Sequence, residues 1–274
     1  MAPPRATLIP ALLPRRLLPG IIADRKLLLC LDYDGTLSEI TARPAAARPV
    51  ANARRALRAL TAHPERIELA IISGRDLPTL RALLKPEGRM WMVGSHGIEI
   101  VDPRGRRYLA PAAKDSLGDI AKVRAWMKGQ VPRRAGFVIE DKRVSLALHY
   151  RMAAPAAARA VRKALCELIA RECPSVAILH GKMVDEVIGH AAGGKGAAVR
   201  RILRSFGVSA PVPVYFGDDV TDEDAFHELR DDGVTVRVGT SQHSWAQFRV
   251  NSPAKVVAVL DNLVATLVPT RKMK

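Results

Sequence analysis

Short, mainly apolar runs alternate along this chain with longer stretches in which apolar residues recur every three or four positions. The runs fall at residues 27–32, 67–72, 91–93, 212–216 and 234–238, broken by Glu68 in the second and by Thr235 and Arg237 in the last. Segments apolar on both faces are the pattern of strands buried in a parallel sheet. Between them, residues 49–62 carry Val50, Ala53, Leu57 and Leu60 at helical spacing, and 76–84, 195–206, 222–229 and 253–267 continue the helical period. Strand–helix alternation of this kind predicts an α/β core, a doubly wound parallel sheet of Rossmann type with helices on both faces.

The rhythm changes after the turn Asp102-Pro103-Arg104-Gly105. Helical periods at 113–128 and 156–171 enclose strand candidates at 137–140 and 144–150, around Asp141-Lys142-Arg143. A further pair, 176–179 and 182–187, flanks His180-Gly181. Hairpins backed by helices predict an antiparallel α+β unit. The chain therefore reads as a doubly wound core at 26–105 and 189–274, with a smaller α+β unit inserted at 106–188 as a cap. Residues 1–25 are apolar and basic but broken by Pro3, Pro4, Pro10, Pro14 and Pro19. They read as a flexible arm and not as a signal peptide.

Composition narrows the function. The 274 residues are 48% hydrophobic and 4% aromatic, so the core is aliphatic. The net charge is +16, from 43 Lys and Arg against 27 Asp and Glu. These basic residues are scattered along helices without interleaved aromatics, a solvated surface and not a nucleic-acid groove, and the positive field suits a small anionic substrate. Three cysteines, Cys30, Cys166 and Cys173, form no CxxC, which argues against a disulfide framework or a zinc site. No run approaches the roughly 18 apolar residues of a membrane span. The expectation is a cytoplasmic monomer, with neither nucleic acid nor membrane as partner.

Candidate chemistry sits where the predicted strands end. Asp32 and Asp34 follow the first run, two residues apart and so on one face, and carboxylates that close call for a cation or for acid–base work. Ser73-Gly74-Arg75 follows the second, with a hydroxyl and a backbone N–H suited to a phosphate oxygen. Lys195 opens a helix within Gly193-Gly194-Lys195-Gly196, an unfavourable place for a cation unless an anion binds there. The run Gly217-Asp218-Asp219-Val220-Thr221-Asp222-Glu223-Asp224 has the composition of a hard-cation site, and Mg²⁺ suits such oxygen ligands. Thr221 and Asp224 also fit a helix cap. Ligands bind outside the carboxyl ends of parallel strands, so the four clusters are expected to share one crevice.

The order Asp-x-Asp-Gly-Thr, Ser-Gly-Arg, Lys and Gly-Asp-Asp-x-x-Asp resembles the haloacid dehalogenase superfamily of phosphatases. Within it, 217–226, Gly94-Ser95-His96-Gly97-Ile98-Glu99, Glu140-Asp141-Lys142 with His149-Tyr150-Arg151, and 181–187 are similar to the trehalose-6-phosphate phosphatase family, over about residues 25–265. One departure is Ile188-Gly189, where that family has a basic residue and a proline. The resemblance implies a Mg²⁺-dependent phosphatase that hydrolyses a small sugar phosphate, trehalose 6-phosphate, to trehalose and phosphate through an aspartyl-phosphate. Asp32 is then the nucleophile, and Asp34 the acid and then the base. Ser73, Gly74 and Lys195 bind the phosphate. Asp32, Asp34 (through its carbonyl) and Asp218 ligate the metal, with Asp219 or Asp222 in support. Glu140, Lys142, Lys182 and Glu186 of the cap contact the sugar, and Arg75 and His96 are further substrate candidates, His96 equally a structural histidine. The rival readings are a sucrose-phosphate or mannosylglycerate-phosphate phosphatase, a basic nucleic-acid-binding protein, and a non-catalytic relative. The acidic cluster argues against the second, and the presence of both Asp32 and Asp34 against the third.

Overall fold

The computed structural model describes residues 10–41, 44–132, 135–142, 144–181, 183–189, 194–240 and 243–267. In chain order the first part comprises β1 (Ala11–Leu12), α1 (Leu17–Asp24), β2 (Leu27–Asp32), α2 (Ala53–Thr61), β3 (Ile67–Ile72), α3 (Leu77–Leu84), β4 (Trp91–Gly94), β5 (Glu99–Val101) and β6 (Arg107–Leu109). The middle part comprises α4 (Pro111–Gln130), β7 (Val138–Asp141), β8 (Leu146–His149), α5 (Pro155–Glu172), β9 (Val176–Gly181) and β10 (Val184–Gly189). The last comprises α6 (Gly194–Arg204), β11 (Val212–Gly217), α7 (Glu223–Leu229), β12 (Val234–Val238), β13 (Phe248–Val250) and α8 (Pro253–Leu267). The chain divides into two compact units, residues 1–108 with 194–274, and residues 109–193.

The first unit is built on a sheet of order β1-β13-β12-β11-β2-β3-β4-β5-β6 among the described residues, parallel from β1 to β4 and antiparallel between β4 and β5. Strand β2 is buried along its whole length, which explains its continuous apolar sequence. Alternation sorts its side chains. Leu27, Leu29 and Leu31 join the core beneath α1, α2, α3 and α8, whereas Leu28 and Cys30 join the one beneath α6 and α7. The α/β core read from the apolar pattern is thus a three-layer doubly wound sheet. Its strand order reverses between β2 and β11, the switch point at which such folds bind ligands.

The flexible-arm reading of residues 1–25 requires correction over the described part. Residues 11–12 pair with β13, and α1 buries Leu18 and Ile22 in the main core. Pro19 falls in the first turn of α1, where the missing N–H costs little. Residues 1–9 lie outside the described residues.

The second unit is an antiparallel sheet of order β7-β8-β10-β9 with α4 and α5 on one face. Leu146, Leu148, Val176 and Val187 point to the helices, so their strand neighbours Glu140, Ala147, His149 and Glu186 occupy the opposite face. Strand pairing resumes between Gly181 and Val184, so His180-Gly181 belongs to β9 and is not the turn it was read to be. A buried carboxylate joins α4 to the start of β9. Asp119 accepts from Ser175 N–H (3.0 Å), Ser175 Oγ (2.6 Å) and Lys122 Nζ (3.0 Å). The Ser175 bonds lead in pulling the Asp119 pKa down to about 2. A carboxylate whose folded pKa is depressed stabilises the fold above its unfolded value and loses that contribution as pH falls. Asp119→Ala is therefore expected to cost about 1 kcal/mol or more at pH 7, the net worth of a typical hydrogen bond. The gap in urea midpoint between variant and wild type should narrow as pH falls from about 4 towards 2. A gap that stayed constant over that range would contradict the role given to Asp119.

Candidate active site

Residues beyond the last pairing of β2 and β11 meet above the switch point. Asp32 has the parity of Leu28 and Cys30, so it emerges on the α6/α7 face, and α6 carries Lys195 on that same face. Lys195 Nζ donates to Asp32 Oδ1 (2.8 Å) and to Asp222 Oδ1 (2.7 Å), and all three side chains are at most 5% exposed. The carboxylates of Asp32, Asp218 and Asp222 lie within 4.8 Å of one another. Three of the four expected clusters therefore converge. The negative charge that a lysine at a helix start requires comes from the chain itself: Asp32, Asp222, and Asp224, whose Oδ2 accepts from Gly196 N–H at 3.3 Å.

Asp222 is the strut of the cluster. Its Oδ1 accepts from Lys195 and from Tyr215 OH (2.7 Å), and its Oδ2 from the N–H groups of Asp218 (3.1 Å) and Asp219 (3.0 Å). Tyr215 was not singled out in the sequence. Its signal is a tyrosine inside a fully buried strand, where the hydroxyl needs a partner. The cap predicted with Thr221 and Asp224 sits elsewhere: Asp219 is the N-cap and Asp222 the reciprocal third residue. The chain leaves β11 in an extended conformation at Asp219, so the helical turn begins at Val220. Asp219 is thereby engaged with the backbone and stands outside the three-carboxylate cluster. The acidic run is not one cation site, because Asp222, Glu223 and Asp224 point to three different sets of partners.

Two glycines permit the close approach. Gly35 has φ +77°, and a Cβ there would meet Asp218 Oδ2 at 2.0 Å. A Cβ on Gly74 would meet the His96 ring at 2.5 Å, so His96 packs directly behind Ser73-Gly74-Arg75. The Ser73 carbonyl accepts from His96 N–H (3.1 Å), and Ser73 Oγ accepts from Arg75 N–H (3.1 Å). Arg75 itself turns to Asp34 in a two-pronged ion pair, Nε to Oδ2 and Nη2 to Oδ1, both 2.6 Å. Its guanidinium stands 5.7 Å from the Tyr33 ring.

The electrostatics fit a cation. Burial raises the pKa of Asp32, Lys195 pulls it back, and Asp222 and Asp218 raise it further. Burial, then Asp222 and Asp219, push Asp218 up to about 7. Burial alone would depress Lys195, but Asp222 and Asp32 outweigh it and hold the ammonium charged. Asp218 Oδ1 is buried and has no hydrogen-bond partner among the described residues. The Lys195 ammonium thus binds two of three crowded carboxylates, and the orphaned oxygen of the third is what a hard, oxygen-seeking divalent ion would satisfy.

In the second unit, Lys142 and Glu186 form a buried pair at 3.0 Å, with Ser145 Oγ also donating to Glu186 (3.0 Å). On the same face Glu140 pairs with His149 (3.0 Å), a bond that holds Glu140 below the usual carboxylate range. His149 was not among the expected substrate residues. Lys182 lies outside the described residues.

A family model described as Trehalose-phosphatase matches residues 30–254. An uncharacterized glycosyl hydrolase of Mycobacterium tuberculosis is 36% identical over 259 residues, which is 91% of this chain and 19% of that protein. The trehalose-phosphate phosphatase of Mycobacterium avium is 33% identical over 256 residues, 90% of this chain and 64% of that protein. The chain thus spans less than two thirds of these relatives. Among solved structures, the C-terminal domain of Candida albicans trehalose-6-phosphate phosphatase matches with a TM-score of 0.78 at 28% identity, covering 95% of this chain and 99% of that one.

Proposed function

Since this chain belongs to the trehalose-phosphatase family, with the haloacid dehalogenase-like fold of that family, we propose that it is a Mg²⁺-dependent phosphatase converting trehalose 6-phosphate to trehalose and inorganic phosphate. One observation carries the reading: Asp32, Asp218 and Asp222 crowd together at the switch point of the sheet, with the buried Lys195 ammonium bonded to the first and the last.

Lys195 holds Asp32 Oδ1, which leaves Oδ2 to attack phosphorus. The bond from phosphorus to the sugar O6 breaks as the Asp32–phosphate bond forms, and Asp34 gives its proton to the departing oxygen. To act in this way Asp34 must release an oxygen from Arg75, and the arriving phosphate, a stronger anion, draws the guanidinium towards itself. Asp34 then takes a proton from water, whose oxygen attacks phosphorus and restores the Asp32 carboxylate. Ser73 and Lys195 hold phosphate oxygens throughout. Asp32 and Asp218, with the Asp34 carbonyl, would hold Mg²⁺, and Asp222 supports them. When bound, that ion supplies positive charge against the repulsion between two anions. Phosphate monoesters need stabilisation of order 20 kcal/mol. A buried site where charge is already in place supplies the largest part of such a demand. Sugar contacts are assigned to Glu140, Lys142, Lys182 and Glu186, with His96 beside the phosphate.

Phosphate release measured across a panel of sugar phosphates with Mg²⁺ tests the assignment. Trehalose 6-phosphate should be turned over fastest. Faster turnover of a sucrose or mannosylglycerate phosphate would move the substrate to that rival. EDTA should remove almost all of the activity and Mg²⁺ restore it; full activity in chelator would take Asp218 out of the ligand set.

A further inference from the structure

Glu223, in the middle of the acidic run, has no place in the chemistry above, yet it is among the most connected side chains of the first unit. It is nearly buried and accepts from Ser244 Oγ (2.9 and 3.1 Å), from Trp245 N–H (2.8 Å) and from Arg237 Nη1 (2.8 Å). Ser244 is itself fixed, its Oγ accepting from Ala246 N–H at 3.0 Å. Arg237 stands on β12 in register with Gly217, the residue before Asp218. The same Nη1 that meets Glu223 also donates to the backbone carbonyl of Asp219 at 3.1 Å. Both side chains of the pair are only about an eighth exposed.

A buried ion pair brings little net stability, since desolvation offsets most of its attraction, so its presence against this loop has another reason. The loop from Asp218 to Asp222 is held on its inner side by Asp222 Oδ2, which accepts the Asp218 and Asp219 N–H groups. Arg237 grips the outer side of the same turn. With both grips in place the Asp218 carboxylate has little freedom, and it lies against Gly35 with one oxygen unpartnered among the described residues. Resting on the magnesium reading above, we propose that Arg237, seated by Glu223, is a positioning residue that fixes the 218–219 turn, so that the Asp218 carboxylate is ready-made for the ion.

Two physical effects of Arg237 on a bound cation have opposite sign, which makes the idea testable. Its charge repels a cation, so deleting it would tighten Mg²⁺ binding if charge alone mattered. Its grip pre-organises a ligand, so deleting it would weaken binding; partners behind metal ligands commonly contribute about 10–100-fold in affinity. The experiment is calorimetric titration of the metal-free protein with Mg²⁺ alone. Arg237→Gln is expected to weaken Mg²⁺ binding by about tenfold or more, with Arg237→Lys recovering most of the loss. Glu223→Gln keeps the size and the contacts to Ser244 and Trp245 while loosening the seat. It should weaken binding in the same direction, by less, and it serves as the test should Arg237→Gln fail to fold. Saturating Mg²⁺ should restore turnover of both variants with KM for the sugar phosphate unchanged. Equal or tighter Mg²⁺ binding by a folded Arg237→Gln, or unchanged binding by Glu223→Gln, overturns the assignment. Wild-type protein that bound no Mg²⁺ would instead overturn the magnesium reading, so the two failures are distinct.

Discussion

Asp32→Asn is expected to lower turnover of trehalose 6-phosphate to under about one per cent of wild type and to abolish the phospho-enzyme. An amide oxygen is a poor nucleophile, and the neighbouring carboxylates are given other work, Asp218 as the proposed metal ligand. Asp34 is held by Arg75, and Asp222 already accepts four hydrogen bonds. The substitution is nearly isosteric, and the amide keeps an oxygen for Lys195. It also removes one of three crowded carboxylates, so like-charge repulsion falls. Metal-free thermal stability should therefore hold or rise while activity disappears. That opposition separates a chemical role from a structural one: a side chain needed for folding would lose both together. Acid quenching after mixing with labelled substrate checks the covalent step directly. Label on the Asp32→Asn variant, or activity above about one per cent, would remove Asp32 from the attacking position.

The periodicity made the core legible because its two innermost strands, β2 and β11, are apolar on both faces, the pattern of burial in a parallel sheet. Edge elements left weaker traces. Strand β13 has three residues with an arginine in the middle, and β1 has two exposed residues between prolines, so neither shows a period long enough to read. Helix α1 was hidden by Pro14 and Pro19, although Leu18 and Ile22 already stood at the spacing of one buried face. In the site, carboxylates after buried strands were readable as chemistry, because ionised groups at such positions are costly without a purpose. Which acid meets which base was not. Arg75 and Asp34 are 41 positions apart, Lys195 and Asp32 163, and only the packing of α6 on the even face of β2 decides the second pairing. The run from 218 to 224 shows the limit most clearly. Its composition suggests one site, but successive residues of a helical turn diverge by about 100°, so Asp222, Glu223 and Asp224 serve three neighbours.

Lys195→Met should have the largest effect on stability. The side chains are close in volume, so packing is preserved while the charge goes. Asp222 is fully buried and Asp32 nearly so, and both rely on the Lys195 ammonium. Removing one partner of a buried pair typically costs about 3–5 kcal/mol, because the remaining charge stays buried without compensation. Against a usual total of about 5–15 kcal/mol, that is a large fraction of the fold. For a unit of this size it corresponds to a fall in Tm of roughly 6–20 °C. Two further readings identify the cause. Lowering the pH should narrow the gap between variant and wild type, since Asp32, whose pKa burial already raises, then takes up a proton and sheds its charge. Millimolar Mg²⁺ should raise the variant's Tm more than the wild type's, because a divalent ion bound at Asp32 and Asp218 replaces the missing positive charge. A variant as stable as wild type at neutral pH without metal would show that the three carboxylates do not depend on this ammonium. An equal Mg²⁺ response in both proteins would show that ion and lysine do not serve the same charges.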